Sequence, residues 1–466
     1  MAPAAAVDAL LPAPVAGWPI VAHTGDNDWS PQDVGRALTR IRTEYLWWPA
    51  PKSTARRQAI IAEDEADLAM ISPSEIERID ADPAAALGRY GVLAGKADGD
   101  AETLLAASRW ISPWTGENLS LSEGIAALSF LHAAARRNAG GFRLIGMSPW
   151  KRRCLAPFLT GPDGPPGDSG RDVIWGAGEA PDETADNVLH VEDGFLRSVG
   201  LGLRHTPPAS LTFDDTAPYF DATRRNGFED AVDAADFTPE LLGRAARLRA
   251  RILELRLSKY NLASNTALPA PPEGKETLLV PGQVETDASI RLGGVDIKTN
   301  RSLLEEARRA NPDAFIIYKP HPDVLTGLRE GAVEDADQIA DHVEVEASAP
   351  DCLDWADHVV TITSLMGFEA LMRGKRVTTL GRPFYAGWGV TEDLMPPDRS
   401  RSLTIEELIA AALILYPRYI DPVSRLPAPV EVVVEALAAE LAVQGTASAK
   451  VRRAWRNIAS WVLNRL

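Results

Sequence analysis

Apolar positions along this chain recur with two periods, and the switches between them mark out its elements. Across residues 1–110 a helical period surfaces around Val34–Tyr45 and Ile76–Leu87 and is broken by Pro, Asp and Trp, so this stretch reads as a small accessory domain or an irregular extension. From about residue 111 the pattern becomes regular. Leu119-Ser-Leu-Ser-Glu123 opens a helix through Ala126–Asn138, with Ser120 or Ser122 as its N-cap. Short apolar runs at 140–146, 172–176 and 188–191 predict buried strands, and a long helix spans Pro239–Leu257. After the Pro-rich linker Ala267–Pro272 the alternation restarts. Strands are expected at Thr277–Pro281, Phe315–Tyr318, Val359–Ile362 and Val377–Leu380, with helices at 301–310 and 365–373. Brief strands alternating with helices imply parallel sheets that bind ligands at their carboxyl edges. The predicted fold class is therefore α/β, with two Rossmann-like lobes facing a cleft, a GT-B-like arrangement. The expected division is an extension at 1–110, a first lobe at 111–266, a second lobe at 273–440 and a terminal helix at 441–466.

Composition narrows the function classes. With 466 residues the chain has room for two domains and additional material. Its net charge of −17 argues against general nucleic-acid binding, which needs a basic footprint, and means that an anionic ligand requires a locally positive pocket. Backbone amides at helix starts can form one without changing the net charge. Cys154 and Cys352 lie far apart and suggest a reducing cytoplasm rather than a disulfide framework. The histidines include no HxxxH spacing and there is no CxxC, so no structural metal site is expected. No apolar run approaches membrane-spanning length, and the first twenty residues lack the basic start of a secretory signal.

The chemistry-bearing residues cluster after strands. In Tyr318-Lys-Pro-His-Pro-Asp323 two prolines stiffen a turn and hold Lys319 and His321 at a strand exit, where a phosphate would lie. The competing account is a rigid turn with a surface histidine. Thr361-Ile-Thr-Ser-Leu-Met-Gly-Phe-Glu369 is a strand becoming a helix. Thr363 or Ser364 would cap it, its free amides would receive an anion, Gly367 would admit a ligand closely, and Glu369 could accept bonds from ribose hydroxyls. An ordinary capped helix with a solvated glutamate is the alternative. In Gly282-Gln-Val-Glu-Thr-Asp287, Gln283 and Asp287 sit on a loop after a strand, where a carboxylate could meet an electron-poor anomeric carbon; a solvated acidic loop would look the same. Val191-Glu-Asp-Gly-Phe-Leu-Arg197 ends a first-lobe strand with Glu192 and Asp193 as candidate general bases and Arg197 nearby, or as turn caps. The loop Gly381–Gly389, with Tyr385 and Trp388, could clamp a base or sugar ring or plug a gap between lobes.

In order along the chain, Ile145-Gly-Met-Ser-Pro-Trp-Lys-Arg-Arg153, the 191–202 segment, Lys259-Tyr-Asn261, Gln283 to Asp287, Lys319-Pro-His-Pro322, Gly381 to Thr391 and Ala411 to Asp421 resemble the KpsC-type capsule polysaccharide β-Kdo transferases. The likeness runs from about 111 to 440. It implies a GT-B enzyme that transfers the acidic sugar Kdo from CMP-Kdo to a Kdo-lipid or other lipid-linked acceptor in capsule biosynthesis, with retention and without a metal or further cofactor. Many such proteins carry two transferase modules, and this chain has room for one. By this resemblance Asp287 would be the carboxylate nucleophile and His321 would contact the departing phosphate. Lys319, Ser364 and Glu369 would hold the nucleotide, and Glu192 or Asp193 would take the acceptor proton. The expected location is cytoplasmic, peripheral at the inner face of the inner membrane, with other capsule-assembly proteins as partners. The basic amphipathic segment Lys450–Leu466, with Trp455, Ile458, Trp461 and Val462 on one face, suits either an anionic leaflet or docking on the protein itself. Other classes that fit the pattern are a nucleotide-sugar epimerase or hydrolase and a non-catalytic capsule-assembly factor.

Overall fold

The computed structural model describes residues 15, 18–19, 21–24, 29–43, 105–178, 188–199, 206–259, 261, 266–327 and 329–442. The helix expected at Ile76–Leu87 and the amphipathic segment Lys450–Leu466 lie outside these residues. The described residues fall into two compact units, one drawn from Met1–Arg143, Leu155–Arg171 and Val423–Ala428, the other from Leu144–Cys154, Asp172–Pro422 and Pro429–Leu466.

In the first unit, β1 (Ala22–Thr24), β2 (Ser108–Ile111) and β3 (Asn118–Leu119) form an antiparallel sheet, with α2 (Leu121–Arg137) packed against β2 and β3 and α1 (Pro31–Thr43) packed on α2. Ser120 and Glu123 close a reciprocal capping box at the start of α2, which settles the choice between Ser120 and Ser122. The core is built on fully buried Trp110, whose indole N–H reaches the Ser108 hydroxyl at 2.6 Å.

The second unit contains both lobes. In chain order its elements include β4 (Phe142–Leu144, where the unit boundary falls), α3 (Pro149–Leu159, begun in this unit), β5 (Arg171–Trp175), β6 (Val188–Asp193) and β7 (Ser210–Asp214). Helix α4 (Pro239–Glu254) leads to the second lobe, which holds β8 (Thr277–Pro281), α5 (Ala288–Gly293), α6 (Asn300–Ala310), β9 (Phe315–Lys319), β10 (His342–Val343), β11 (His358–Thr361), α7 (Leu365–Met372), β12 (Arg376–Thr379) and β13 (Glu392–Asp393). The chain then returns through β14 (Arg418–Tyr419) and α8 (Val430–Ala442), whose Glu431 and Glu435 each take a two-pronged ion pair from Arg244 and Arg251 of α4.

The second-lobe sheet has the order β10-β9-β8-β11-β12-β13 and is parallel throughout, and β8, buried at every position, lies near its centre. The first-lobe sheet, ordered β14-β7-β6-β5-β4, differs from the parallel expectation. Strands β5 and β6 are parallel, but β7 runs antiparallel to β6 and β14 antiparallel to β7. Among its described residues the link from Asp193 to Ser210 holds no crossover helix, the element that a parallel return uses. Two α/β lobes thus face a cleft, with the exits of β6, β8, β9 and β11 opening on it. Among the described residues no helix is long and apolar enough to cross a membrane.

Candidate functional site

The cleft encloses about 470 Å³, and its lining comes from both lobes of the second unit. Glu192, Asp193, Tyr219, Phe220, Ser258 and Lys259 form the first-lobe wall. From the second lobe come Gln283 and Asp287 after β8, Lys319 and His321 after β9, and Thr363, Ser364 and Glu369 around the start of α7.

Asp287 is exposed and is the N-cap of α5. Its Oδ1 accepts from the Ser289 amide at 3.0 Å and the Ser289 hydroxyl at 3.1 Å, which fixes the carboxylate's direction. The loop beneath it is held by buried Asn300. The Asn300 amide nitrogen donates to the carbonyls of Gln283 and Gly331, both at 2.7 Å, and its oxygen accepts from the Gln283 amide at 2.8 Å.

His321 follows Pro320 and caps the short turn Pro322–Leu325, its Nδ1 accepting from the Asp323 amide at 3.1 Å. That bond assigns the neutral ring's proton to Nε2, leaving an N–H donor. Burial pulls His321 below its ordinary value, opposed by the charges of Asp323 and Asp287, so the neutral ring is favoured. Lys319 donates from Nζ to the Ala347 carbonyl at 2.6 Å and ties the 345–349 loop to the cleft.

At the β11–α7 turn, Ser364 caps the helix by accepting from Met366 N–H. Gln283 and Glu369 line the cleft but are already occupied. The Gln283 amide donates to the Thr363 hydroxyl and accepts from the Thr363 amide, both at 3.0 Å, so it braces the turn. Glu369 is buried, and its Oε1 accepts from the Lys259 amide at 2.9 Å. It therefore joins the lobes rather than standing solvated.

The two first-lobe carboxylates have different environments. Asp193 Oδ2 accepts from Arg197 Nε at 2.7 Å, and the same guanidinium reaches the Ser198 hydroxyl and the Thr206 carbonyl. Glu192 accepts from the Asp193 amide at 2.9 Å. Burial, reinforced by the charges of Asp193 and Asp287 and opposed by Lys259, pushes its carboxyl from the ordinary 4.5 to about 7.

Four residues expected to touch a ligand lie behind the wall instead. Arg197 is only 3% exposed and is consumed by its ion pair. Tyr385 and Trp388 are buried, with Tyr385 donating to the Ser364 carbonyl and Trp388 to the Phe384 carbonyl. From that loop Phe384 reaches the cleft, stacked on Phe195 with ring centroids 4.4 Å apart. Gly367 makes room for Tyr385 rather than for a ligand. A Cβ there would come within 2.2 Å of the Tyr385 hydroxyl. Gly367→Ala is therefore expected to destabilise the protein by about 1–3 kcal/mol, read by urea unfolding; an unchanged midpoint would refute the close packing.

The pattern of the sequence did not single out Ser258 or Arg329, nor Lys259 as a cleft cation. They lie on loops, where no apolar period marks a residue that faces a cleft. Among the described residues, no group of three or more His, Cys, Asp or Glu side chains is placed to hold a metal ion.

Comparison with known proteins adds three findings. The capsule polysaccharide biosynthesis protein family matches residues 177–419, which carry every cleft residue named above. The capsule polysaccharide modification protein LipA of Neisseria meningitidis serogroup B is 42% identical over 344 residues, covering 69% of this chain and 49% of that protein, so the chain spans about half the length of this curated relative. Two solved structures from Thermosulfurimonas dismutans are similar. The KpsC β-Kdo 2,4 transferase is 35% identical, with TM-score 0.56, over 64% of this chain and 98% of that one. The KpsC β-Kdo 2,7 transferase is 34% identical, with TM-score 0.53, over 64% and 99%.

Proposed function

Since this chain belongs to the capsule polysaccharide biosynthesis protein family, we propose that it transfers β-Kdo from CMP-Kdo to a Kdo-lipid or other lipid-linked acceptor, with retention by double displacement. The observation that carries the reading is the convergence of Asp287, His321 and Glu192 on one cleft. The similarity to two β-Kdo transferases of known structure supports the choice of sugar.

In the first step an Asp287 oxygen attacks the anomeric carbon as its bond to the CMP phosphate oxygen breaks, leaving a glycosyl ester and free CMP. That carbon is quaternary and the transition state oxocarbenium-like, so a fixed carboxylate on one face stabilises it. His321 donates its Nε2 proton in a hydrogen bond to the departing phosphate, and Lys319 and the first amides of α7 add positive potential there. In the second step the acceptor hydroxyl attacks the same carbon, the ester to Asp287 breaks, and the hydroxyl proton passes to Glu192. Two inversions give retention. Glu192, rather than Asp193, takes the proton because Asp193 is committed to Arg197 while Glu192 sits near neutral. No metal or further cofactor takes part in this scheme. The acceptor would place the enzyme at the inner face of the inner membrane.

The test is to incubate the protein with CMP-Kdo and a synthetic Kdo-terminated glycolipid and follow the acceptor by mass. One added Kdo and stoichiometric CMP are expected. Release of free Kdo alone, with the acceptor unchanged, would favour a hydrolase and sink the transferase reading.

A further inference from the structure

The segment Ile145–Arg153 lies outside the cleft lining, yet its first-lobe position is specific. Strands β5 and β6 are parallel, with Trp175 opposite Val191, so Trp175 ends its strand one residue short of the level of Glu192. The following turn is fastened to β6. Gly176 N–H donates to the Val191 carbonyl at 2.8 Å, and His190 Nδ1 lies 2.9 Å from the Gly176 carbonyl oxygen. A Cβ on Gly176 would lie 3.4 Å from Glu192 Oε2, which measures how closely the turn abuts the carboxylate.

Over the Trp175 ring, 4.2 Å from its centroid, stands the Lys151 ammonium. The backbone that carries Lys151 is fixed. Its own amide donates to the Ser148 hydroxyl, and the neighbouring Arg152 ties the first turn of α3 to the end of β4. Arg152 donates to the Leu144 carbonyl at 2.7 Å and the Met147 carbonyl at 3.2 Å. Partial burial pulls the Lys151 amine below its ordinary value, and the charges of Glu192 and Asp193 oppose that shift.

We propose that Lys151 and Trp175 form the acceptor subsite, which binds a carboxylate-bearing sugar so that its hydroxyl faces Glu192. This rests on the reading of Glu192 as the group that meets the acceptor. An acidic sugar entering beside Glu192 and Asp193 meets like charge, in a protein of net charge −17, and a held ammonium offsets that repulsion. The indole face holds the ammonium in place, and the ammonium pairs with the carboxylate.

The experiment titrates the full chain with two small probes, the methyl glycoside of Kdo and its carboxamide, with CMP filling the nucleotide side. Binding is followed by the probe's NMR signals. Wild type is expected to bind the acid at least tenfold more tightly than the amide. Lys151→Met should reduce acid binding to the level of the amide and leave amide binding unchanged, and Lys151→Arg should keep the preference. A structural role alone would weaken both probes equally. Retention of the acid preference in Lys151→Met, or its absence from wild type, would overturn the proposal. Binding through Lys151 in a protein that transfers no sugar would refute the transferase reading and leave this site standing.

Discussion

Asp287→Asn is expected to lower transfer by at least about a thousandfold, roughly 4 kcal/mol of barrier, while leaving CMP binding within a few-fold of wild type. The asparagine is chosen because Asp287 has two jobs that must be separated. As the N-cap of α5 it accepts from the Ser289 amide and hydroxyl, and an asparagine oxygen can keep both bonds. As a nucleophile it needs a carboxylate, which asparagine lacks. Asp287→Ala removes both functions and should lose a further ~1 kcal/mol of stability through the missing cap. The pair of variants therefore gives equal loss of activity with unequal unfolding midpoints. An Asp287→Asn protein with full steady-state transfer would remove the nucleophile from the scheme.

Glu192→Gln should cost between about a hundredfold and ten-thousandfold in kcat, the usual worth of a positioned proton acceptor. The pH profile gives the sharper result. Glu192 must be ionised to accept the acceptor proton, so wild-type activity should rise with pH through about 7, and this limb should vanish in the variant. Stability should move the other way. The folded protein holds the Glu192 proton more tightly than the unfolded chain, which titrates near the ordinary 4.5. Stability contributed by this group is therefore complete below about 4.5 and is lost as pH rises through about 7. Glutamine removes that loss, so the variant should be more stable than wild type at pH 8 and equal to it near pH 4. A variant that is inactive and also less stable at pH 8 would mean that Glu192 supports the fold rather than the reaction.

The strand ends were legible in the sequence because buried parallel strands are short apolar runs, and those runs stop where proline or polar residues begin. This is why the sequence alone places Lys319, His321, Asp287, Glu192 and Asp193 just after strands. The direction of a side chain on a loop was not legible. In Gly381–Gly389 three aromatic residues share one apolar character, and only packing against Phe195 and the Ser364 carbonyl decides that Phe384 faces the cleft while Tyr385 and Trp388 turn inward. Arg197 read as a ligand contact because its charge is visible in sequence and its partner Asp193, one turn of chain away, is equally visible as an acid. Whether the two meet each other or a substrate is a matter of three-dimensional distance. The antiparallel turn from β6 to β7 was missed for a similar reason: Ser210–Asp214 mixes polar and apolar residues, although four of its five positions are buried.

In this scheme the sugar passes through a covalent bond to Asp287. The most direct test is to mix the protein with CMP-Kdo without acceptor, quench in acid, digest, and weigh the peptide spanning Asp287. A gain of one Kdo residue on that peptide is expected, absent from Asp287→Asn and discharged when acceptor is added before the quench. Acceptor turnover in the same preparation with an unmodified Asp287 peptide at every time point, or with the sugar attached to another residue, would contradict it.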